Sequence, residues 1–155
     1  LDGRLVLAAT GAPDAPSAIA WLLNLGLEPY LLGASLSGVL AQRLVRKLCQ
    51  ACREPFEPTP AQLRQLDRAT GATTATLYRP KGCPRCRNLG YLGRIALHEL
   101  LIPDDHFRQR LSQGAPQAEL RELARSGKLK TLRADGLEKV RSGITTLDEV
   151  YRVTA

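Results

Sequence analysis

The chain has 155 residues, 44% of them hydrophobic and 24% charged, an ordinary globular composition with enough length for one real core and a small satellite. No apolar run reaches the ~18 residues that a membrane-spanning helix requires, and with 5% aromatic residues the chain is poor in the ring platforms on which single-stranded nucleic acids stack. Its formal charge of +7 and pI near 9.6 admit an anionic partner, nucleic acid or membrane surface, without choosing between them.

The chain contains no Met and opens on Leu1-Asp2-Gly3, followed at once by an apolar run, so it reads as cut from inside a larger fold. Leu5 to Ala9 is apolar without alternation, the pattern of a short, fully buried parallel strand. After Thr10-Gly11-Ala12-Pro13, Asp14 is placed to cap a helix whose inner face is Ile19, Leu22, Leu23 and Gly26, with Trp21 off that stripe. Gly26 and Glu28-Pro29 end it. A second, longer helix is expected from about Tyr30 to Leu48, with Leu32, Leu36, Val39, Leu40 and Leu44 inward.

That segment delivers the chain into the first of two Cys-x-x-Cys pairs, Cys49 with Cys52 and Cys83 with Cys86, which hold all four cysteines and are separated by thirty residues. A Cys-x-x-Cys turn aims two sulfurs at one point, and two such turns supply the four thiolates of a tetrahedral zinc site. Such a site is closed to water and substrate, so it builds structure and performs no metal chemistry. Disulfides within each pair and a redox role for Cys83-Pro84-Arg85-Cys86 are the competing readings. Arg46, Lys47 and Arg53 flank the first pair and Arg79, Lys81, Arg85 and Arg87 the second, cations of the kind that favour thiolates. Four thiolates on one Zn²⁺ would take the formal charge from +7 to about +5, leaving cations over for a partner.

Between the pairs, Pro55, Pro58 and Pro60 lead into a small helix with a capping box of Thr59 and Gln62 and an apolar face of Leu63 and Leu66. A turn over Thr70 to Thr76 and a strand at Leu77-Tyr78-Arg79 close the loop. Beyond Cys86, Gly90 and Gly93 suggest tight backbone approach, Ile95 to Leu101 reads as a strand returning to the main core, and Arg94 with Glu99 reads as a strand-end ion pair. Helices are expected at about 105–113, 116–126 and 132–142, with Pro116 in a first turn and Gly127 and Gly143 as C-caps. A last helix opens at Thr146 with Glu149 completing a capping box and presents Leu147, Val150 and Val153. His98 and His106 read as ordinary surface or packing residues, and no catalytic triad or paired-carboxylate pattern is present.

Five blocks in order, LVLAA, DAPSAIAWLLNLGLEPYLLGASLSGVLAQRLVRKLC, the tetracysteine loop, GYLGRIALHELL and DGLEKVRSGITTLDEVYRVT, resemble the C-terminal part of the type II secretion and type IV pilus assembly ATPases. The resemblance covers nearly all of the chain. It implies an α/β fold: the C-terminal half of a RecA-like P-loop ATPase domain, with a small tetracysteine zinc-binding insert and a helical C-terminal extension. The division that follows is 1–48 for the second half of the motor core, 49–86 for the zinc subdomain, and 87–155 for the returning strand and extension. It also implies a hexamer at the cytoplasmic face of the bacterial inner membrane, whose ATP hydrolysis drives pseudopilus or pilus assembly and protein export. Arg43 and Arg46 resemble family arginines close to the nucleotide and the subunit interface.

Two departures qualify this. No G-x-x-x-x-G-K-[ST] occurs, and Ser126-Gly127-Lys128-Leu129 lacks both the first Gly and the hydroxyl residue that holds Mg²⁺. ATP and Mg²⁺ are therefore expected only with the N-terminal half present, and the chain alone is expected to be inactive. Where the family has a functional His in T-L-H-T-N-D-A, this chain has Gly11. The cations Arg79, Lys81, Arg85, Arg87 and Arg94 fall within sixteen residues free of Asp and Glu, and read as a face that docks an acidic loop of an inner-membrane platform protein, with inner-leaflet phospholipid as a secondary attraction. The alternative is a stand-alone, basic zinc-ribbon-like module that binds nucleic acid, although such a ribbon needs no long apolar segment before its first cysteine.

Overall fold

The computed structural model describes residues 3–70, 76–127 and 129–154. The chain divides into two compact units, Leu1–Ala41 with Glu99–Lys130, and Gln42–His98 with Thr131–Ala155. Strands β1 (Val39–Leu48) and β4 (Tyr91–Leu101) are hydrogen-bonded neighbours, and each runs from one unit into the other.

The first unit is built from α1 (Ala15–Asn24), α2 (Pro29–Ser35), α4 (Asp105–Ser112) and α5 (Gln117–Ser126). Asp14 caps α1 as expected, its side chain accepting the Ser17 N–H at 2.8 Å. The cap is itself held: Arg121 of α5 donates to Asp14 Oδ2 at 2.7 Å and to Ser17 Oγ at 2.9 Å. The inward stripe holds for Ile19, which is buried, and for Leu22 and Leu23, packed against the core, with Trp21 exposed; Gly26, expected on the same face, lies beyond the helix and is exposed. The core joins Ala15 and Ile19 to Leu32, Leu101, Phe107, Leu111, Leu120 and Ala124. A fully buried leucine such as Leu111 contributes about 2–3 kcal/mol by burial alone.

Two expectations fail in this region. Leu5, Val6 and Leu7 are 79–88% exposed and lie in no strand, so the apolar run is not a buried element here. A strand needs backbone partners on its flank, and among the described residues none pairs with it. The long helix over 30–48 is also absent. Helix α2 stops at Ser35, Leu36 to Gly38 are irregular, and β1 follows. Arg43 and Arg46 therefore lie on a strand. Along β1 the side chains alternate, Val39, Ala41, Arg43 and Val45 turned in and Leu40, Gln42, Leu44 and Arg46 turned out. Leu36, Leu40 and Leu44 have helical spacing, yet Leu40 is 57% and Leu44 49% exposed; Gly33 and Gly38 and the β-branched Val39 and Val45 favour the break and the strand.

The second unit contains the ends of β1 and β4, the antiparallel pair β2 (Glu54–Phe56) and β3 (Leu77–Arg79), and α3 (Pro60–Thr70), α6 (Leu132–Arg141) and α7 (Leu147–Thr154). The Thr59–Gln62 capping box forms: the Thr59 N–H donates to Gln62 Oε1 at 2.9 Å and the Gln62 N–H to Thr59 Oγ1 at 3.3 Å. Leu66 is buried on the helix so started, and α3 packs against α6. The turn expected over Thr70 to Thr76 falls, for 71–75, outside the described residues. The core here is Val45, Leu48, Leu66, Leu77, Leu97, Leu137, Val140 and Val150. Gly136 of α6 lets α7 approach, because a Cβ there would meet Val150 Cγ1 at 2.6 Å and Leu97 Cδ1 at 3.1 Å. His98 itself is exposed; its backbone N–H donates to the buried Asp135 at 3.0 Å, and Lys139 pairs with the same carboxylate.

Strand β4 begins at Tyr91, four residues before the expected start. Arg94 and Glu99 do not form the expected strand-end pair: five residues apart on one strand, they face opposite sides. Glu99 is buried and instead accepts the Ala15 N–H at the start of α1, at 2.8 Å. The three tail helices lie where expected; Gly127 caps α5 as expected, while the C-cap of α6 is Ser142, with Gly143 following it. At α7 only half of the capping box exists. The Glu149 N–H reaches Thr146 Oγ1 at 3.4 Å, while the Glu149 carboxylate turns inward to Arg46.

Candidate metal centre

Cys49 follows directly from β1, and Cys52 closes a tight turn with its N–H on the Cys49 carbonyl at 3.1 Å. Cys83 opens a single 3₁₀ turn, Pro84–Cys86, so Cys86 comes back over it. The left-handed residues Arg87 and Asn88, with φ of 52° and 60°, then fold the chain into Gly90. At Gly90 any Cβ would collide with Pro80, so only glycine admits this close return. The Cys49 N–H donates to the Gly90 carbonyl at 2.9 Å, which sews the first pair to the end of the second.

The four sulfurs lie within 4.8 Å of one another. Three of the separations are 3.9 Å for Cys49–Cys83 and 3.8 Å for both Cys52–Cys86 and Cys83–Cys86. A tetrahedron of sulfurs at Zn–S bonds of about 2.3 Å has an edge of about 3.8 Å. The cysteines are free thiols, and their separations are those of ligands around one ion. Cys49, Cys52 and Cys86 are buried and Cys83 is half-buried. The arrangement suits a thiophilic ion with a preference for four ligands.

The backbone supplies part of what thiolates need. Cys86 Sγ accepts the N–H groups of Cys83 and Gly90, both at 3.2 Å. Burial works against ionisation of Cys86, but these donors outweigh it and bring the thiol down to about 6. At Cys52 burial dominates and pushes the thiol up to about 12, against the pull of the Gly82 N–H. A cation held by the four sulfurs would offset that cost at Cys52.

The flanking cations serve other groups. Arg46 donates to Glu149 from its backbone N–H at 2.8 Å and from its guanidinium at 2.7 Å, and lies 4.3 Å over the Tyr91 ring. Arg53 donates to the Gly143 carbonyl at 2.5 Å and stacks on Tyr78. Antiparallel pairing of β2 with β3 brings Glu54 opposite Arg79, and Glu54 pairs with Lys81 at 2.5 Å and Arg79 at 3.4 Å. Lys81, and then Arg79, hold its carboxyl below the usual range. The acid-free run of sixteen residues is thus answered from across the sheet, at two of its five cations. Arg85, Arg87 and Arg94 are exposed, beside the exposed Leu89 and Leu92. His106 is exposed, and among the described residues the potential metal set contains cysteines and no histidine.

Glu149 is the residue that the sequence reading misplaced. It is 1% exposed and also accepts two bonds from Arg152, at 3.1 and 2.9 Å. Burial alone would raise its pKa, but Arg152 and Arg46 together hold it at about 2. Its capping-box position hid this role, because the carboxylate's partner lies 103 residues away in sequence.

Comparison with known proteins gives the family. Residues 1–152 match the family model described as "Type II/IV secretion system protein". The chain is 46% identical, over 99% of its length, to the type IV pilus assembly ATPase PilB of Thermus thermophilus. It is 44% identical to the type II secretion system protein E of Dickeya dadantii and 43% to the type II secretion system ATPase E of Vibrio cholerae, again over 99% of its length. It spans 17% of the length of the first relative and 30% of the other two. With its tetracysteine cluster and a match that runs almost from end to end, the chain belongs to the type II/IV secretion system protein family.

Proposed function

We propose that the chain is the C-terminal part of a secretion-system ATPase that powers pseudopilus or pilus assembly, and that Cys49, Cys52, Cys83 and Cys86 hold one structural Zn²⁺. The observation that carries this reading is the near end-to-end match to relatives named as secretion and pilus ATPases, together with four sulfurs spaced as a tetrahedral ligand set. Zinc supplies no reaction step here. Four thiolates close its shell, and its contribution is to fix the turns that carry β1 into the loop and the loop into β4.

In this reading 1–48 and part of 87–155 complete a RecA-like motor core, and 49–86 is an insert. The exposure of Leu5, Val6 and Leu7 supports it, because an apolar, extended run of this kind is stable as a strand once flanking strands pair with it. ATP and Mg²⁺ are held only when a phosphate-binding loop from the preceding half is present, since a helix N-terminus with a glycine-rich loop provides most phosphate contacts in such motors. Arg43 and Arg46 are the two candidates for the nucleotide or subunit interface, and Arg46 is also paired with Glu149. The assembly is a hexamer at the cytoplasmic face of the inner membrane. Among the described residues no helix is long and apolar enough to cross a membrane. The docking face narrows to Arg85, Arg87 and Arg94, with Arg79 and Lys81 answered by Glu54. Its partner is an acidic loop of a membrane platform protein.

The test is to compare the chain alone with the chain joined to the N-terminal portion of a relative. ATP binding and hydrolysis should be absent in the first and present in the second. Activity of the chain alone that follows the protein peak through repurification would overturn the reading, and tight, salt-sensitive DNA binding would favour a nucleic-acid module.

A further inference from the structure

The turn between α6 and α7 is bonded at several points to residues that flank the cysteines. On the side of the first pair, the Leu48 N–H donates to the Ile144 carbonyl at 2.8 Å, and Thr145 Oγ1 donates to the Arg46 carbonyl at 2.8 Å. Arg53, the residue after Cys52, donates to the Gly143 carbonyl at 2.5 Å. On the side of the second pair, Tyr91, next to Gly90, places its hydroxyl 3.1 Å from Thr146 Oγ1. Arg46 then reaches Glu149 in the first turn of α7 by backbone and side chain. Four consecutive residues, 143 to 146, are thus tied to both knuckles at once, and Thr145 and Thr146 are buried there.

We propose that metal binding at the tetracysteine site and docking of the 143–149 segment are thermodynamically linked, so that this turn and the start of α7 form a latch closed by the metal. The inference rests on the reading that the four cysteines hold a metal. The physical reason is local. Residues 48–53 and 86–91 are positioned in part by the two sulfur turns, and without an ion only the Cys49–Gly90 backbone bond and the β1–β4 pairing hold those turns together. Helix α7 has eight residues, too few to hold its shape without tertiary support. Its inner face on Val150 persists without the metal, but its first turn loses the anchors that Arg46, Arg53 and Tyr91 present. Linkage is reciprocal, so a lesion in the latch must weaken metal binding even though it touches no sulfur. A partner that pulls on α7 would loosen the metal by the same route.

Two arms on the whole chain test this. First, zinc content is measured, and zinc is then removed with a chelator and hydrogen exchange followed in both forms. Peptides spanning 143–150 should exchange at least about fivefold faster without zinc, the lower end of typical coupling, while α5 is unchanged. Second, Glu149→Gln and Tyr91→Phe should each lower zinc affinity, measured by competition with a chromophoric chelator, Glu149→Gln by about fivefold or more. If Glu149→Gln does not fold, Tyr91→Phe decides alone, with the same direction required. Zinc absent from the purified chain and not taken up on addition would overturn the metal reading itself. Stoichiometric zinc, with 143–150 unchanged on its removal or both variants at wild-type affinity, would overturn the linkage and leave the metal site standing.

Discussion

Glu149→Gln removes one charge from the centre of an arginine pair and keeps the shape of the side chain. The carboxylate is 1% exposed, accepts the Arg46 backbone N–H, and is shared by the Arg46 and Arg152 guanidiniums. Burial opposes ionisation, but the two arginines overcome it and hold the carboxyl at about 2, well below the ordinary carboxylate value of about 4.5. A depression of that size corresponds to about 3 kcal/mol at 1.36 kcal/mol per pKa unit; because both guanidiniums are half exposed, about 2 kcal/mol is the better expectation. The folded-state pKa lies below the unfolded one, so this stability is fully present above pH ~4.5 and is lost as pH falls through ~2. Denaturant unfolding of wild type and Glu149→Gln should therefore differ by about 2 kcal/mol at pH 7, and the difference should shrink steadily between pH 5 and pH 2. A difference under about 0.5 kcal/mol at pH 7, or one that does not change with pH, would refute the argument that the charge network holds α7.

The strand assignment of β1 makes Leu44→Ala nearly neutral, within about 0.5 kcal/mol, and Val45→Ala costly by about 1–3 kcal/mol in the same unfolding assay; a helix would reverse the order. Reversal of Arg85 and Arg87 to Glu should abolish co-purification with the membrane platform while leaving zinc content and unfolding unchanged. Reversal of Arg79 and Lys81 should act chiefly through the lost pairs with Glu54 and change denaturant unfolding little, because those pairs are exposed. Recruitment unaffected by the Arg85 and Arg87 reversal would show that this rim only balances charge around the metal.

What was legible in the sequence was local chemistry. The Asp14 and Thr59 caps, the cysteine spacing and the tail helices each depend on residues a few positions apart, and all of them formed. What was not legible depended on partners distant in sequence. Leu36, Leu40 and Leu44 satisfy a helical stripe as well as a strand's outer face, and nothing local says that Leu40 and Leu44 face outward. Two cations of the acid-free run, Arg79 and Lys81, are answered by Glu54, which only the β2–β3 register brings opposite. Glu149 satisfied a capping pattern while its carboxylate was required 103 residues away by Arg46. The unbroken apolar run Leu5 to Ala9 has the pattern of a buried strand, but hydrophobicity makes a strand only where neighbouring strands supply hydrogen bonds.

The most direct test of the metal centre is zinc K-edge X-ray absorption on the chain purified without added metal, read together with elemental analysis of the same sample. The account predicts one zinc per chain with four sulfur scatterers at about 2.3 Å, matching the 3.8–3.9 Å sulfur separations. Nitrogen or oxygen in the shell, fewer than four sulfurs, or a chain that carries no zinc and forms disulfides between these cysteines would contradict it.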